Sequence, residues 1–253
     1  MERRIVIGVT ISLAVIMLAA MSTTLYLVCK PPPLLTSVKI KSTSDCNVFY
    51  KVVNLQRRND RRRLMETEFA NAAIENYNFV TAVDGKNLTL TPLLKQTFAR
   101  NDFDWRKGVI GCALSHYAVW NALIKDADHD YYIVLEDDVK LCPGFAGKVQ
   151  EVVAAAQTYD VIFLSYILPD SKTRVLDGPT VTVRPLDKTA YMGGTQTYYV
   201  SKRGAAAMVF HWNTNGIERA IDAEMVFNMT ALKFGECAPF LTTTDFADSD
   251  LRA

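Results

Sequence analysis

The chain has 253 residues, of which 49% are apolar and 22% are charged, as in ordinary globular proteins. This composition excludes a mainly disordered chain, a collagen-like repeat and a coiled-coil rod. Lys and Arg number 28 against 27 Asp and Glu, a net charge of +1, so the basic excess of a nucleic-acid-binding protein is missing and no nucleic-acid partner is expected.

The N-terminus carries an apolar run, residues 5–29, that is 25 residues long and holds no charge. A bilayer core needs about 20 apolar residues, so the run predicts a transmembrane helix. Arg3 and Arg4 precede it, and basic residues there favour a cytosolic N-terminus and an exported remainder. The alternative is a cleaved signal peptide, with Ala20 and Ser22 as the small residues of the cleavage site.

Both interpretations place the rest of the chain in a secretory lumen or outside the cell. In a eukaryotic host that lumen would be the Golgi apparatus or the endoplasmic reticulum. Two acceptor sequences for N-glycosylation, 87–89 and 228–230, are compatible with export.

Four cysteines follow the apolar run, and this even count permits two disulfides with three possible pairings, or free buried thiols. They are Cys46, Cys112, Cys142 and Cys237. Neither a CxxC pair nor a Cys/His pair has the spacing of a structural zinc site, so none is expected.

The chain divides into three predicted regions. Residues 1–30 form a cytosolic tip and a signal-anchor transmembrane helix. Residues 31–48 are rich in Pro, Ser, Thr and Lys and are predicted to be a stem. Residues 49–253 form the folded domain.

Within the domain, short apolar runs typical of strands alternate with helical patterns. Strands are predicted at Phe49–Leu55, Tyr77–Val83, Tyr131–Leu135, Val161–Leu164 and Gln196–Val200. Helices are predicted at Asp60–Asn76, Ile110–Lys125, Gly144–Ala156, Lys202–Phe210 and Ile217–Leu232, with a loop or hairpin insertion at 168–190. This alternation predicts an α/β fold with a mainly parallel central sheet.

Three consecutive carboxylates, Glu136, Asp137 and Asp138, follow the apolar strand at 131–135. Ligands of open α/β sheets bind beyond the carboxyl ends of the strands. Three adjacent acids repel one another unless a cation offsets their charge, and Mg²⁺ and Mn²⁺ prefer such oxygen ligands. The sequence therefore predicts a divalent cation at this turn, with a solvated turn of capping acids as the alternative.

Two other segments have the chemistry of anion binding. Basic residues gather after the first strand, at 57–63, where guanidinium groups can pair with a phosphate or a base edge. A charged helix face is the alternative, and we favour it for Arg62 and Arg63. Glycines in the segment 108–116 allow close backbone approach at a helix start, where anions are favoured. His116 on this helix has a structural role as its alternative.

Taken in order, these segments resemble glycosyltransferase family 25, which includes bacterial lipopolysaccharide galactosyltransferases and procollagen galactosyltransferases. The resemblance covers about residues 49–251. The matching segments are Val53–Arg61, Ala82–Gly85, Gly108–His116, Leu135–Val139, Gly194–Ser201, Gly204–Ala205, Ile221–Asp222 and Ser249–Leu251.

The resemblance implies a GT-A type nucleotide-sugar-binding fold, a UDP-hexose donor and a divalent cation, Mn²⁺ or Mg²⁺. It implies that Glu136 and Asp138 bind the cation and that a set of polar residues lines the donor pocket. That set is Asn54, Arg58, Arg61, Asp84, Gly85, Ser115, His116 and Asp137. The acceptor is expected to be a hydroxyl group of a glycan or a protein.

An inverting transfer also needs a carboxylate that takes the acceptor proton. Asp222 and Glu224, at a predicted helix start in the second half of the domain, are the candidates. Two other functions stay open. One is a membrane-anchored adhesion or binding module on a degenerate transferase fold, which the intact carboxylates disfavour. The other is a metal-dependent hydrolase, which the total of only three His disfavours.

Overall fold

The computed structural model describes residues 48–169 and 180–244. The predicted membrane helix, Cys46 and the segment Ser249–Leu251 lie outside the described residues. Within the described part of the chain, no helix is long and apolar enough to cross a membrane.

A seven-stranded sheet lies at the centre of the domain. Its strands are β1 (Tyr50–Asn54), β2 (Tyr77–Thr81), β3 (Tyr131–Glu136), β5 (Val161–Ser165), β6 (Thr182–Pro185), β7 (Thr197–Ser201) and β8 (Phe234–Ala238). They lie in the order β2-β1-β3-β7-β5-β8-β6; β6 and β7 run antiparallel to their neighbours, and the other five run in one direction. The predicted α/β fold with a mostly parallel sheet is confirmed.

A second, two-stranded sheet pairs β4 (Val139–Leu141) with β9 (Thr242–Thr244) in antiparallel register. Because β4 begins directly after the three carboxylates, this pairing brings the chain's 242–244 segment beside the acidic turn.

Helices cover both faces of the large sheet, and two apolar layers result. Val52 and Val53 of β1 belong to different layers because successive strand side chains point to opposite faces. The helices are α1 (Asn59–Asn71), α2 (Pro92–Thr97), α3 (Lys107–Lys125), α4 (Phe145–Ala155), α5 (Lys202–Asn215) and the single turn α6 (Ile221–Ala223).

Two predicted helices differ from the structure. α1 ends at Asn71 rather than residue 76, because Ala73 adopts a positive φ of 54° and turns the chain toward β2. The helix predicted at 217–232 is wrong, since only α6 and a following π-helical turn, Glu224–Asn228, form there. The Glu224 carboxylate accepts the backbone N–H groups of Glu218 and Arg219, which holds the preceding segment as a loop.

Several elements lie where no regular element was predicted. β6 lies inside the segment expected to be a loop or hairpin, and α2, β4, β8 and β9 have no predicted counterpart. β8 reads Phe-Gly-Glu-Cys-Ala and β9 reads Thr-Thr-Thr, so neither has the apolar run that announces a buried strand.

The cysteines and glycosylation sequences have clear surroundings. Cys112, Cys142 and Cys237 are free thiols. Asn87 is exposed, whereas the amide of Asn228 donates a 2.9 Å hydrogen bond to the Glu224 carboxylate. The second sequence is thus tied into the fold by its own acceptor side chain.

The loop after β2 packs against α3 backbone to backbone. A Cβ on Gly111 would lie 2.5 Å from the carbonyl oxygen of Val83, and one on Gly85 would lie 2.4 Å from that of Lys107. Neither position has room for a side chain. The Ser115 hydroxyl adds a polar link, because it accepts the Val83 N–H at 2.9 Å and donates to the Gly111 carbonyl at 2.7 Å.

Gly111→Ala forces the loop away from α3, so we expect the free energy of unfolding to fall by about 1–3 kcal/mol. Gly147→Ala in α4 is the matched control, because nothing lies within 4 Å of the added methyl group. That variant should gain about 0.8–1.0 kcal/mol from helix propensity. Urea unfolding measures both. A Gly111→Ala variant as stable as the wild type would contradict the close backbone contact.

Candidate functional site

A cleft opens at the carboxyl ends of β1 and β3, beside the first half of α3. Its cavity volume, counted as the space open to the centres of water-sized molecules, is about 110 Å³. Arg57, from the basic segment 57–63, lines it, as do Lys86 and Cys112, which were not predicted site residues. The predicted site residues that line it are Arg61, Asp84, Gly85, Ser115, His116, Glu136, Asp137 and Asp138.

Asp137 ties the acidic turn to β1 and α1. Its Oδ2 accepts a 2.7 Å hydrogen bond from Asn54 Nδ2, and its Oδ1 accepts one of 2.9 Å from Arg61 Nη1. Burial raises the pKa of Asp137, and the bonds from Asn54 and Arg61 offset only part of that rise. Because Asn54 and Arg61 donate to its two oxygens, Asp137 fixes the acidic turn against β1 and α1.

Glu136 ends β3 between a hydroxyl and an imidazole. Its Oε1 accepts a 2.5 Å hydrogen bond from Thr195 Oγ1 and lies 3.7 Å from His116 Nε2. Burial disfavours the charged form, but the neighbouring His116, Thr195 and Arg61 together hold the pKa of Glu136 below its ordinary value. Glu136 is therefore a charged carboxylate at the wall of the cleft.

Of the three carboxylates, Asp138 has the fewest stabilising contacts. Arg61 Nη1 lies 3.4 Å from its Oδ2, and its buried Oδ1 has no hydrogen-bond partner in the described part of the chain. Burial first, and then the charges of Glu136 and Asp137, raise the pKa of Asp138 to about 7 against the pull of Arg61. A cation beside Asp138 would remove this cost.

Unpartnered buried polar atoms are concentrated around the acidic turn. The backbone carbonyl of Gln196 accepts the Glu136 N–H at 2.9 Å, and Thr244 is paired with Val139 in the small sheet, so both residues lie beside the turn. Buried polar groups almost always have a partner, so this concentration indicates a place for a bound group. Among described residues, the buried side-chain atoms without a partner are His116 Nε2, Asp138 Oδ1, Gln196 Oε1 and Thr244 Oγ1.

The opposite wall carries positive charge. Asp84 caps the 3₁₀ turn Gly85–Asn87 by accepting the Lys86 N–H at 3.0 Å, and it pairs with Arg57 Nε at 3.0 Å. Arg58 was a predicted donor-site residue, but its guanidinium pairs with Asp60 at 2.8 Å and does not line the cleft. Arg57 takes the position at the cleft instead.

Asp222, in the single turn α6, packs against the backbone of Gly193 and Gly194. Its Oδ2 accepts the Gly194 N–H at 2.6 Å, and a Cβ on Gly193 would lie only 2.7 Å from that oxygen. Burial, Glu136 and Asp222, in that order, raise the pKa of the Cys112 thiol, so the Asp222 charge acts on the cleft wall. Asp222 is half-buried and accepts from one backbone donor.

Glu224 is engaged elsewhere. It is 1% exposed and accepts from His211 Nε2 at 2.8 Å, from two backbone N–H groups of the preceding loop and from Asn228. It does not line the cleft. Both Glu224 oxygens accept hydrogen bonds inside the fold, which suits a structural role. Asp222 is also absent from the residues that line the cleft, but it has fewer hydrogen-bond donors than Glu224.

Comparison with known proteins places the described cleft inside a family match. The model of glycosyltransferase family 25, described as a lipopolysaccharide biosynthesis protein family, matches residues 48–223. A candidate glycosyltransferase of Acanthamoeba polyphaga mimivirus is 35% identical over 166 residues, 62% of this chain and 51% of that protein. Human procollagen galactosyltransferase 2 is 31% identical over 170 residues, 62% of this chain and 26% of that protein.

This chain thus spans about half the length of the mimivirus relative and about a quarter of the human one. Among solved structures, a glycosyltransferase involved in the glycosylation of the major capsid of PBCV-1 overlaps with a TM-score of 0.41 and 10% identity. That overlap covers 81% of this chain and 95% of the other. At this level of overlap, nothing about activity follows from the structural likeness.

The raised pKa of Asp138 predicts a stability change with a defined pH window. The folded-state pKa of about 7 lies above the ordinary 3.8, so the charged carboxylate costs stability as pH rises between those values. Asp138→Asn removes that charge and keeps the shape. We therefore expect the variant to melt at a higher temperature than the wild type at about pH 8 in chelator, and the gain to shrink toward about pH 4.

Thermal unfolding across pH measures this difference. Asp128→Asn is the control, because the Asp128 side chain is exposed, and it should show no such pH-dependent gain. A wild type that is as stable as Asp138→Asn at every pH would mean that the Asp138 charge is not strained.

Proposed function

We propose, from the premise that this chain belongs to glycosyltransferase family 25, that its cleft binds a UDP-hexose and transfers the sugar to a hydroxyl group of a glycan or protein. The observation that carries the proposal is the acidic turn at the carboxyl end of β3, where Asp138 keeps a buried oxygen without a partner. The mostly parallel sheet supports a GT-A type arrangement.

Glu136 and Asp138 are the residues that would hold a divalent cation, Mn²⁺ or Mg²⁺. Their oxygens suit hard cations, and Asp138 Oδ1 has no competing donor. A cation of this kind supplies neutralisation of the charge that develops on a diphosphate leaving group. Asp137 would not be a ligand, since Asn54 and Arg61 occupy its oxygens; it fixes the turn that carries the other two carboxylates.

The donor's phosphates and nucleoside would lie toward the positive wall. Lys86 and Arg57 line the cleft there. α3 also begins beside the cleft, where Gly108 lines it, so the positive end of the helix dipole faces this region. Positive groups on one wall and carboxylates on the other suit a nucleoside diphosphate that brings a cation.

Asp222 would accept the proton of the attacking hydroxyl in an inverting transfer. The Gly194 N–H donates a 2.6 Å hydrogen bond to its Oδ2, which orients the carboxylate. The Asp222 charge contributes to the raised pKa of the Cys112 thiol, which lines the cleft, and this supports a position near the cleft. An oriented, charged carboxylate is what proton abstraction requires.

The membrane-anchored, exported placement expected from the apolar run 5–29 stays a prediction. Protection of the C-terminal part from protease in sealed microsomes tests it, and digestion without detergent would contradict it.

Loss of the cation ligand should remove transfer. We expect Asp138→Asn to lower the turnover of a UDP-hexose by about 10²-fold or more, because the leaving group loses its neutralising charge. A screen of UDP-sugars on the full chain, with Mn²⁺ and with excess chelator, measures it, and Asp128→Asn is the control. Full activity of Asp138→Asn, or of the wild type in chelator, excludes the cation. An inert wild type across donors and acceptors supports the binding-module alternative.

Loss of the base should act on rate rather than on folding. We expect Asp222→Asn to lower turnover by about 10²–10⁴-fold at saturating donor and acceptor, since a general base contributes that much. Glu224→Gln is the contrasting variant: it should lose about 1.5–3 kcal/mol of stability through a weakened charged hydrogen bond and keep most of its turnover per folded molecule. A fall of less than about tenfold for Asp222→Asn shows that Asp222 is not the base.

A further inference from the structure

Three potential metal ligands of different chemistry meet on the inner wall of the cleft. Cys112 and His116 lie one helical turn apart on α3, so their side chains share a face of the helix. Glu136 reaches them from the end of β3. The Sγ, imidazole nitrogen and carboxylate oxygen of the three lie within 4.8 Å of one another.

The spacing between His116 and Glu136 fits a shared ion better than a direct contact. His116 Nε2 lies 3.7 Å from Glu136 Oε1, longer than a hydrogen bond. Two ligands with zinc bonds of about 2.0–2.2 Å in tetrahedral geometry lie about 3.4 Å apart. His116 is fully buried, and its Nε2 has no hydrogen-bond partner in the described part of the chain.

The surroundings orient the two ligands that come from different elements. His116 Nδ1 lies 2.9 Å from Tyr198 Oη, which also accepts a 3.1 Å bond from Trp120 Nε1. A metal ion at Nε2 requires the tautomer in which His116 Nδ1 carries the proton and donates it to Tyr198 Oη, because Nε2 then offers its lone pair. Thr195 Oγ1 holds the Glu136 oxygen at 2.5 Å. Partners of this kind orient the ligands of metal sites.

We propose that Cys112, His116 and Glu136 bind a transition-metal ion of the zinc class, with a fourth position open to the cleft. A thiolate and an imidazole select Zn²⁺ over Mg²⁺, and three protein ligands with an open position form a stable coordination set. The ligand set differs from the hard-oxygen pair Glu136 and Asp138 but shares Glu136. An ion of the zinc class therefore competes with Mn²⁺ for this carboxylate.

The proposal does not depend on sugar transfer, since it concerns ion binding to the folded chain. It also departs from the expectation that the chain has no zinc site. Sequence spacing could not indicate one, because only the packing of α3 against the end of β3 brings the third ligand to Cys112 and His116.

Titration of the full, reduced chain with Co²⁺ tests the site, because cobalt bound to a thiolate absorbs through ligand-to-metal charge transfer. We expect one Co²⁺ per chain with this absorption, displaced by stoichiometric Zn²⁺ and retained in excess Mg²⁺. Cys112→Ser should abolish the absorption, whereas Cys142→Ser, which removes a buried thiol elsewhere, should keep it. The absence of the absorption in the wild type, or its survival in a natively folded Cys112→Ser, overturns the proposal.

Two further variants separate this site from the proposed catalytic cation. Tyr198→Phe should weaken Co²⁺ binding by about 10- to 100-fold by removing the partner of His116. Asp138→Asn should keep the cobalt absorption while losing Mn²⁺-dependent transfer. Loss of the cobalt absorption in Asp138→Asn would place the ion at the acidic turn instead and overturn the assignment. Because the wild-type titration decides whether the site exists, a variant that fails to fold leaves the test intact.

Discussion

Mutual repulsion among the three carboxylates at the end of β3 is the constraint around which the cleft is built. Each carboxylate meets it differently. Asp137 takes two charged or polar donors, Asn54 and Arg61, and becomes a cross-link between β1, α1 and the turn. Glu136 accepts a hydrogen bond from Thr195, and its carboxylate lies near His116. Asp138 keeps a buried oxygen without a donor, and burial with its acidic neighbours disfavours its charge. The uncompensated part of this repulsion is the physical basis of the cation site proposed at this turn.

Rigid contacts at the backbone level hold the walls of the cleft at fixed distances. The contacts of Gly85 and Gly111 leave no space for a side chain, so the loop after β2, which forms the positive wall, is packed directly against α3. On the other side, the pairing of β4 with β9 fixes the chain just beyond Asp138. Charged groups without partners do not stabilise the local backbone, so the surrounding structure has to hold them in position.

Family membership and local chemistry answer different questions. The match over 48–223 assigns the domain to its family. Because the relatives are much longer than this chain, the match does not identify its donor or acceptor. The residues of the cleft narrow the chemistry further. Glu136 is shared by the two proposed ligand sets, the oxygen pair with Asp138 and the sulfur and nitrogen set with Cys112 and His116. Which set it joins depends on whether the arriving ion prefers oxygen or sulfur and nitrogen.

Local pattern in the sequence determined the alternation of strands and helices, the mostly parallel sheet and the position of the acidic turn, because burial periodicity and runs of charge are properties of neighbouring residues. Tertiary structure decided which carboxylate is free. Asn54 and Asp137 are 83 residues apart in sequence, yet their bond removes Asp137 from the ligand set. The same holds for Glu224, a predicted base whose carboxylate accepts hydrogen bonds from His211 and from the loop before α6. The helix predicted at 217–232 is reduced to α6 and the π-helical turn that follows it. Hydrogen-bond partners distant in sequence carry no periodic signal, so only the folded chain reveals them.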